Sequence, residues 1–139
     1  MKLKFFVQPN GIMPKYSHET DSGMDVSSIE EQVVPAHGHV KIHTGVHAEI
    51  PDGFEIQVRP RSGMAASGIV AAFGTVDQGY RGEICVTLYN HTDKPYWVAI
   101  GQRIAQLVLS QVVRPEIERI DAIDERTDRG SCGFGSTGK

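Results

Sequence analysis

HVKIHTGVHAEI at 39–50, followed by PDG at 51–53 and FEIQVRP at 54–60, is the stretch whose reading decides the fold. Val40, Ile42, Thr44, Val46, Ala48 and Ile50 fall on one face of an extended chain, with His39, Lys41, His43, His47 and Glu49 on the other. Alternation with a period of two marks a strand buried on one side only. Pro51, Asp52 and Gly53 supply turn chemistry, and Phe54, Ile56 and Val58 then resume the inward set. The pattern predicts a long strand over 39–50 folding back as a hairpin onto 54–60.

The same period recurs on both sides of this stretch. Ile84, Val86 and Leu88 alternate in EICVTLYN, NHTDKP turns the chain, and YWVAI at 96–100 reads as another short strand in which Tyr96 and Trp97 pack. RIAQLVLSQVV at 103–113 is apolar at enough consecutive positions to be a strand buried on both faces. LKFFV, MDVSSIE and QVV are weaker strand candidates, and RSGMAASG at 61–68 is the single helical turn. The 15 Gly and 7 Pro punctuate these runs, so the expected architecture is all-β. It is a distorted jelly roll or sandwich-like barrel with one short helical turn and a flexible Gly-rich C-terminal tail.

A chain of 139 residues is one domain's worth and buries roughly 68% of its unfolded surface, enough for a core without staples. A net charge of −3 gives no electrostatic footprint for nucleic acid, so none is expected as a direct partner. The longest mostly apolar stretch, 69–76, has eight residues including Gly74 and Thr75, so no membrane span is expected. MKLKFFVQPNG is too short in its apolar part for a secretory signal. Cys85 and Cys132 match neither a disulfide framework nor a zinc spacing, which predicts free thiols and a cytoplasmic protein. His39, His43 and His47 share a face, roughly 13 Å apart for each four-residue step, which predicts a solvent-facing polar stripe with no shared metal.

After Ile123 the chain changes to DERTDRGSCGFGSTGK, with glycines at 130, 133, 135 and 138. The expected division is a jelly-roll domain over 1–123 and a mobile tail over 124–139 that closes over an active site. Glycine-rich backbone can turn several N–H groups toward one anion, and Arg129, Ser136 and Thr137 add donors. Phe134, an apolar ring isolated among glycines, favours a lid over an ordinary loose end.

Five segments acquire meaning in order: SGMDV at 22–26, RSGMA at 61–65, GTVDQGYRGE at 74–83, GQRIAQL at 101–107 and RGSCGFGSTG at 129–138. Together they resemble the five ordered motifs of the trimeric deoxyuridine triphosphate nucleotidohydrolases, the dUTPases. The resemblance implies hydrolysis of dUTP to dUMP and pyrophosphate by water attack on the α-phosphorus. In this role Asp77 is the general base and Tyr80 stacks on the deoxyribose, leaving no room for a 2′-hydroxyl. Backbone at Gly74, Thr75, Val76 and Cys85 reads uracil. Arg61, Ser62, Gly63 and Gln106 contact the phosphates or the attacking water, and Asp25 holds waters of a Mg²⁺ carried mainly by the triphosphate. Arg129, Gly135, Ser136 and Thr137 cap the γ-phosphate, while Phe134 covers the base. A homotrimer with shared active sites is implied. The sequence departs from the family pattern at Cys132, where glycine is usual, and at Ala71, where many bacterial relatives carry asparagine. The dCTP deaminases share the fold, but the GTVDQGYRG segment and the Phe-bearing tail favour the hydrolase.

Overall fold

A computed structural model describes residues 1–133 of the chain. Its strands are β1 (Lys4–Val7), β2 (Met24–Ser27), β3 (Gln32–Val34), β4 (His39–Ile42), β5 (Val46–Glu49) and β6 (Phe54–Arg59). After the helix α1 (Ser62–Ala66) come β7 (Ile69–Ala71), β8 (Gly74–Val76), β9 (Val86–Asn90), β10 (Tyr96–Val98) and β11 (Arg103–Gln111). A four-stranded sheet has the order β2-β11-β6-β8 and a three-stranded sheet the order β4-β9-β7, with the pairs β1-β5 and β10-β3 beside them. The architecture is the expected jelly roll, but its sheets do not close into a barrel.

The expected hairpin does not form. Gly45 adopts φ +68°, a left-handed conformation that suits glycine, and divides 39–50 into β4 and β5. Gly53, at φ +80°, turns the chain again. β5 then pairs antiparallel with β1, whereas β6 pairs with β11 and β8. The inward face holds despite the break: Ile42, Thr44, Val46, Ala48 and Ile50 are all buried. Periodicity records which side of a strand meets the core; it carries no information about which strand lies alongside. β8 and β9 are likewise not partners, because β9 pairs with β4 and β7, so residues 77–85 form a loop between sheets rather than a hairpin tip.

β11 behaves as its run of apolar residues predicts. Flanked by β2 and β6, it buries Ile104, Ala105, Leu107 and Val108 in near succession. Its pairing with β2 shifts register between Arg103 and Ala105, a bulge that re-aims the side chains at that end. Val26, Ile56, Val58 and Leu107 from this sheet and Ile42, Ile69, Val86 and Leu88 from the other belong to one apolar core. Tyr96 packs against that core, but Trp97 does not: it is 72% exposed on the outer side of β10. The last strand ends at Gln111, and residues 112–133 carry no strand or helix. Val113, Ile117 and Ile123 stand exposed along that segment. Among the described residues no helix is long and apolar enough to cross a membrane.

Asn90 is the polar keystone of the second sheet. Its amide donates to the Val34 carbonyl at 3.1 Å and the Lys94 carbonyl at 2.7 Å, while its oxygen accepts from Thr92 N and Oγ1. Asn90→Ala strands the buried Val34 carbonyl and leaves the Thr92 donors without their acceptor. It should cost about 2–4 kcal/mol, read as a lower urea midpoint with an unchanged slope.

Candidate active site

The site residues expected from the sequence gather in two groups. The first sits where β2, β11 and the end of β6 meet. Asp25 on β2 lies opposite Gln106 on β11, and Gln106 in turn lies opposite Arg59 on β6. Gly23 makes this close approach possible, because a Cβ there would come within 2.9 Å of the Gln106 side-chain oxygen. Arg61, just past β6, donates from Nε to Asp25 Oδ1 at 3.1 Å. Arg103 donates from Nη1 to Asp25 Oδ2 at 3.0 Å, and the Ser17 hydroxyl donates to the same oxygen at 2.8 Å. Ser62 and Gly63 open α1 alongside, both exposed, and a Cβ built on Gly63 would meet nothing within 4 Å.

Burial pushes the Asp25 carboxyl up, but the Ser17 and Arg103 hydrogen bonds and the charges of Arg61 and Arg103 outweigh it. The net effect holds the carboxyl below its ordinary value, so Asp25 is a carboxylate at neutral pH. With three donors already on its two oxygens, it would reach a divalent ion through water rather than by direct ligation. That is a fit for magnesium held mainly by phosphate oxygens. Two guanidinium groups beside a largely buried carboxylate form a cationic corner suited to an anionic ligand.

The second group lines a cleft of about 330 Å³ between β8 and the 77–85 loop, with Lys41, Val58 and Ile84 completing the walls. Gly74, Thr75, Val76, Asp77, Tyr80 and Cys85 all face it. β8 is an edge strand, so its outer row of backbone N–H and C=O groups is open to a ligand. Asp77 is exposed, and none of the ion pairs among the described residues includes it. The Tyr80 ring is tethered through its hydroxyl, which donates to the Glu83 carbonyl at 3.0 Å. Any Cβ on Gly82 would overlap that phenol, so the ring lies where only glycine admits it. Ala71 is buried in β7 and offers the cleft no polar side chain.

Glu83, Lys41, Arg103 and Ser17 were not singled out in the sequence, and His43 was assigned only to a solvent-facing stripe. Arg103 and Glu83 lay inside quoted motifs and could have been found there; Lys41 and Ser17 carry no local signal. Glu83 fastens the loop to the β4–β5 break: Oε1 accepts from Thr44 N at 3.0 Å and Gly45 N at 2.7 Å, and Oε2 pairs with His43 Nδ1 at 2.8 Å. Burial raises the Glu83 carboxyl, and these hydrogen bonds more than reverse it. Burial and the Glu83 carboxylate push the Cys85 thiol up. His43 is therefore no member of a plain solvent stripe. A larger cleft, about 450 Å³ between β1 and β5, holds none of the expected site residues, and its Lys4–Glu49 pair satisfies its own charges.

Asp77 and Arg61 do not meet within one chain. Val76 pairs with Ile56, which places Asp77 opposite Glu55 at one end of β6, whereas Arg61 lies beyond the other end. Six residues at strand rise put them roughly 20 Å apart. Arg129 joins neither group; among the described residues it is exposed and its Nε donates locally to the Cys132 carbonyl at 3.0 Å. Phe134, Gly135, Ser136 and Thr137 lie outside the described residues.

Fold and site thus define an open β jelly-roll protein with a cationic corner and a separate carboxylate-and-phenol cleft. The dUTPase family model matches residues 9–138, and the chain belongs to the dUTPase family. A deoxyuridine 5′-triphosphate nucleotidohydrolase of Picosynechococcus sp. is 47% identical over 135 residues, covering 95% of this chain and 94% of that one. The namesake enzyme of Helicobacter pylori is 43% identical, covering 99% and 97%. Among solved structures, the Staphylococcus bacteriophage 80alpha dUTPase with dUpNHpp superposes with a TM-score of 0.92 at 28% identity, covering 99% of each chain.

The ion pairs on Asp25 give a pH signature. Its folded carboxyl titrates below the ordinary 3.8, so its stabilisation is complete above that value and is lost as pH falls through the lower folded value. The melting-temperature gap between wild type and Asp25→Asn should be widest near neutrality and narrow from about pH 4 downward. A gap constant with pH would deny Asp25 this charge-pairing role.

Proposed function

We propose that the protein is a cytoplasmic dUTP diphosphatase. It hydrolyses dUTP to dUMP and pyrophosphate by water attack on the α-phosphorus, limiting uracil in DNA and supplying dUMP for thymidylate synthesis. The observation that carries this reading is the division of the site. An open edge strand beside a free carboxylate suits a base and sugar, and a distant corner with paired guanidinium groups suits a polyphosphate. The relatives' name as nucleotidohydrolases of deoxyuridine triphosphate supports it.

The free Asp77 carboxylate takes the proton of the attacking water, a role open to an exposed group not tied into an ion pair. Tyr80 supports the deoxyribose from a position fixed by Glu83 and Gly82, excluding a 2′-hydroxyl sterically. Backbone at Gly74, Thr75 and Val76 and at Cys85 reads the uracil edge. Arg61, the amides of Ser62 and Gly63, and Gln106 receive the phosphates, and Asp25 keeps both guanidinium groups aimed. When bound, magnesium supplies charge neutralisation on the triphosphate, with Asp25 holding its waters. Residues 1–123 act as the jelly-roll body. In the 124–139 tail, Arg129, Gly135, Ser136 and Thr137 cap the γ-phosphate while Phe134 covers the base.

Half-sites some 20 Å apart on one strand point to completion by a second copy of the chain. The homotrimer is therefore part of the proposal, and the exposed Val113, Ile117 and Ile123 on the segment after β11 fit burial against a neighbour.

Asp77→Asn keeps the loop's shape and removes the base, so dUTP binding should survive while kcat falls by about 10²–10⁴. Equal losses in binding and turnover would make Asp77 a structural turn residue. A mixing experiment tests the shared site. Equal amounts of Asp77→Asn and Arg61→Ala chains, unfolded and refolded together, should regain about a quarter of wild-type activity, because a mixed trimer rebuilds intact sites across subunits. Each variant refolded alone stays near its own residual level. No gain on mixing would place the whole site within one chain.

A further inference from the structure

We propose that His43, Glu83 and Cys85 form a binding site for a zinc-class divalent cation beside the 330 Å³ cleft, whose wall includes Glu83 and Cys85, and that its occupation competes with the nucleotide. The competition rests on the reading of that cleft as the nucleotide pocket; the metal site itself does not.

The three ligand atoms lie within 4.8 Å of one another. His43 Nδ1 is 2.8 Å from Glu83 Oε2 and 3.6 Å from Cys85 Sγ. Around a tetrahedral zinc with Zn–N near 2.0 Å and Zn–S near 2.3 Å, such atoms stand roughly 3.3–3.5 Å apart. The sulfur and the His43 nitrogen are already close to that spacing, the His43–Glu83 hydrogen bond has to open by about half an ångström, and Glu83 and Cys85 lie within 4.8 Å of each other.

The ligands are also held in place. Glu83 Oε1 is committed to the backbone N–H groups of Thr44 and Gly45, which leaves Oε2 facing the imidazole. The His43 backbone N–H donates to Glu30 Oε1 at 3.0 Å, fixing the other side of the site. A thiolate and an imidazole with one carboxylate prefer zinc or cobalt over magnesium, so this site is chemically distinct from the water-mediated corner at Asp25. The neighbouring charges are Glu30 and Lys41, which offset one another and leave Glu83 and the thiolate to balance the cation. On binding, the Cys85 S–H bond breaks and its proton passes to solvent. The His43 Nδ1–H bond to Glu83 breaks as the imidazole proton shifts through solvent to Nε2, freeing the Nδ1 lone pair. Zn–S, Zn–N and Zn–O bonds form, and the fourth position takes a water. No electron is transferred.

Glu83 and Cys85 line the cleft shared with Asp77 and Tyr80, so a cation they hold, with its water, would occupy volume the nucleotide needs. The test uses full-length protein carrying Cys132→Ser, which removes the other free thiol. Titration with Zn²⁺ alone, followed by calorimetry, should show one cation per chain, and Co²⁺ should give a thiolate-to-cobalt charge-transfer band. Adding Cys85→Ser should abolish the band. Cys85→Ser or His43→Gln should each weaken zinc binding at least about tenfold, with an unchanged circular dichroism spectrum. Cobalt bound without the band, or zinc affinity unmoved by both substitutions, overturns the site. Zinc should also inhibit dUTP turnover in a way that rising dUTP relieves; bound zinc without inhibition overturns the competition. A protein that turns over no dUTP yet shows the cobalt band would sink the enzymatic reading and leave the metal site standing.

Discussion

Six consecutive residue pairs join β6 to β11, from Gln106 opposite Arg59 to Gln111 opposite Phe54, and this register is the constraint that everything else inherits. Gln106 meets Asp25 across the opposite edge of β11, through the pairing with β2, while β6 carries β8 on the far edge of the sheet. A slip of one residue would turn Ile56 and Val58 toward solvent and aim Gln106 into the core. The apolar core therefore enforces the register, and the register sets the distance between the cationic corner and Asp77. Packing and site geometry are one problem here.

The second organising contact is Glu83. A carboxylate that takes two backbone N–H groups and a histidine nitrogen clips the loop between β8 and β9 to the break between β4 and β5. Thr44 reinforces the joint by donating to the Ile84 carbonyl from a fully buried position. Without this clip the 77–85 loop would connect two different sheets with little to hold its conformation. With it, Tyr80 and Cys85 face a defined cleft. Two glycines act in the same sense by omission: Gly23 admits Gln106, and Gly82 admits the Tyr80 ring.

Two electrostatic environments follow from this scaffold. At Asp25, guanidinium groups outweigh burial and produce a fixed anion that orients cations around it. At Cys85, burial and a neighbouring carboxylate act together and keep the thiol protonated. The contrast arises from which charges the fold places nearby, since burial pushes both groups up. Physical chemistry of this kind separates a corner suited to phosphate from a wall suited to a softer ligand.

The sequence by itself determined the faces of the strands, the buried nature of β11, the short helix after Arg61 and the five motifs. These are local properties, legible from periods of two and from the chemistry of neighbouring residues. It misjudged the hairpin at 39–60 and the packing of Trp97, because strand pairing and burial depend on what else the fold brings alongside. It was silent on Glu83 as a clip and placed His43 in a solvent stripe, because a partner forty positions away leaves no mark on local pattern. Tertiary structure alone decided that Asp77 and Arg61 stand at opposite ends of β6. Antiparallel pairing of β8 with β6 runs the chain back on itself, so residues that follow two adjacent strands emerge at opposite ends of the sheet.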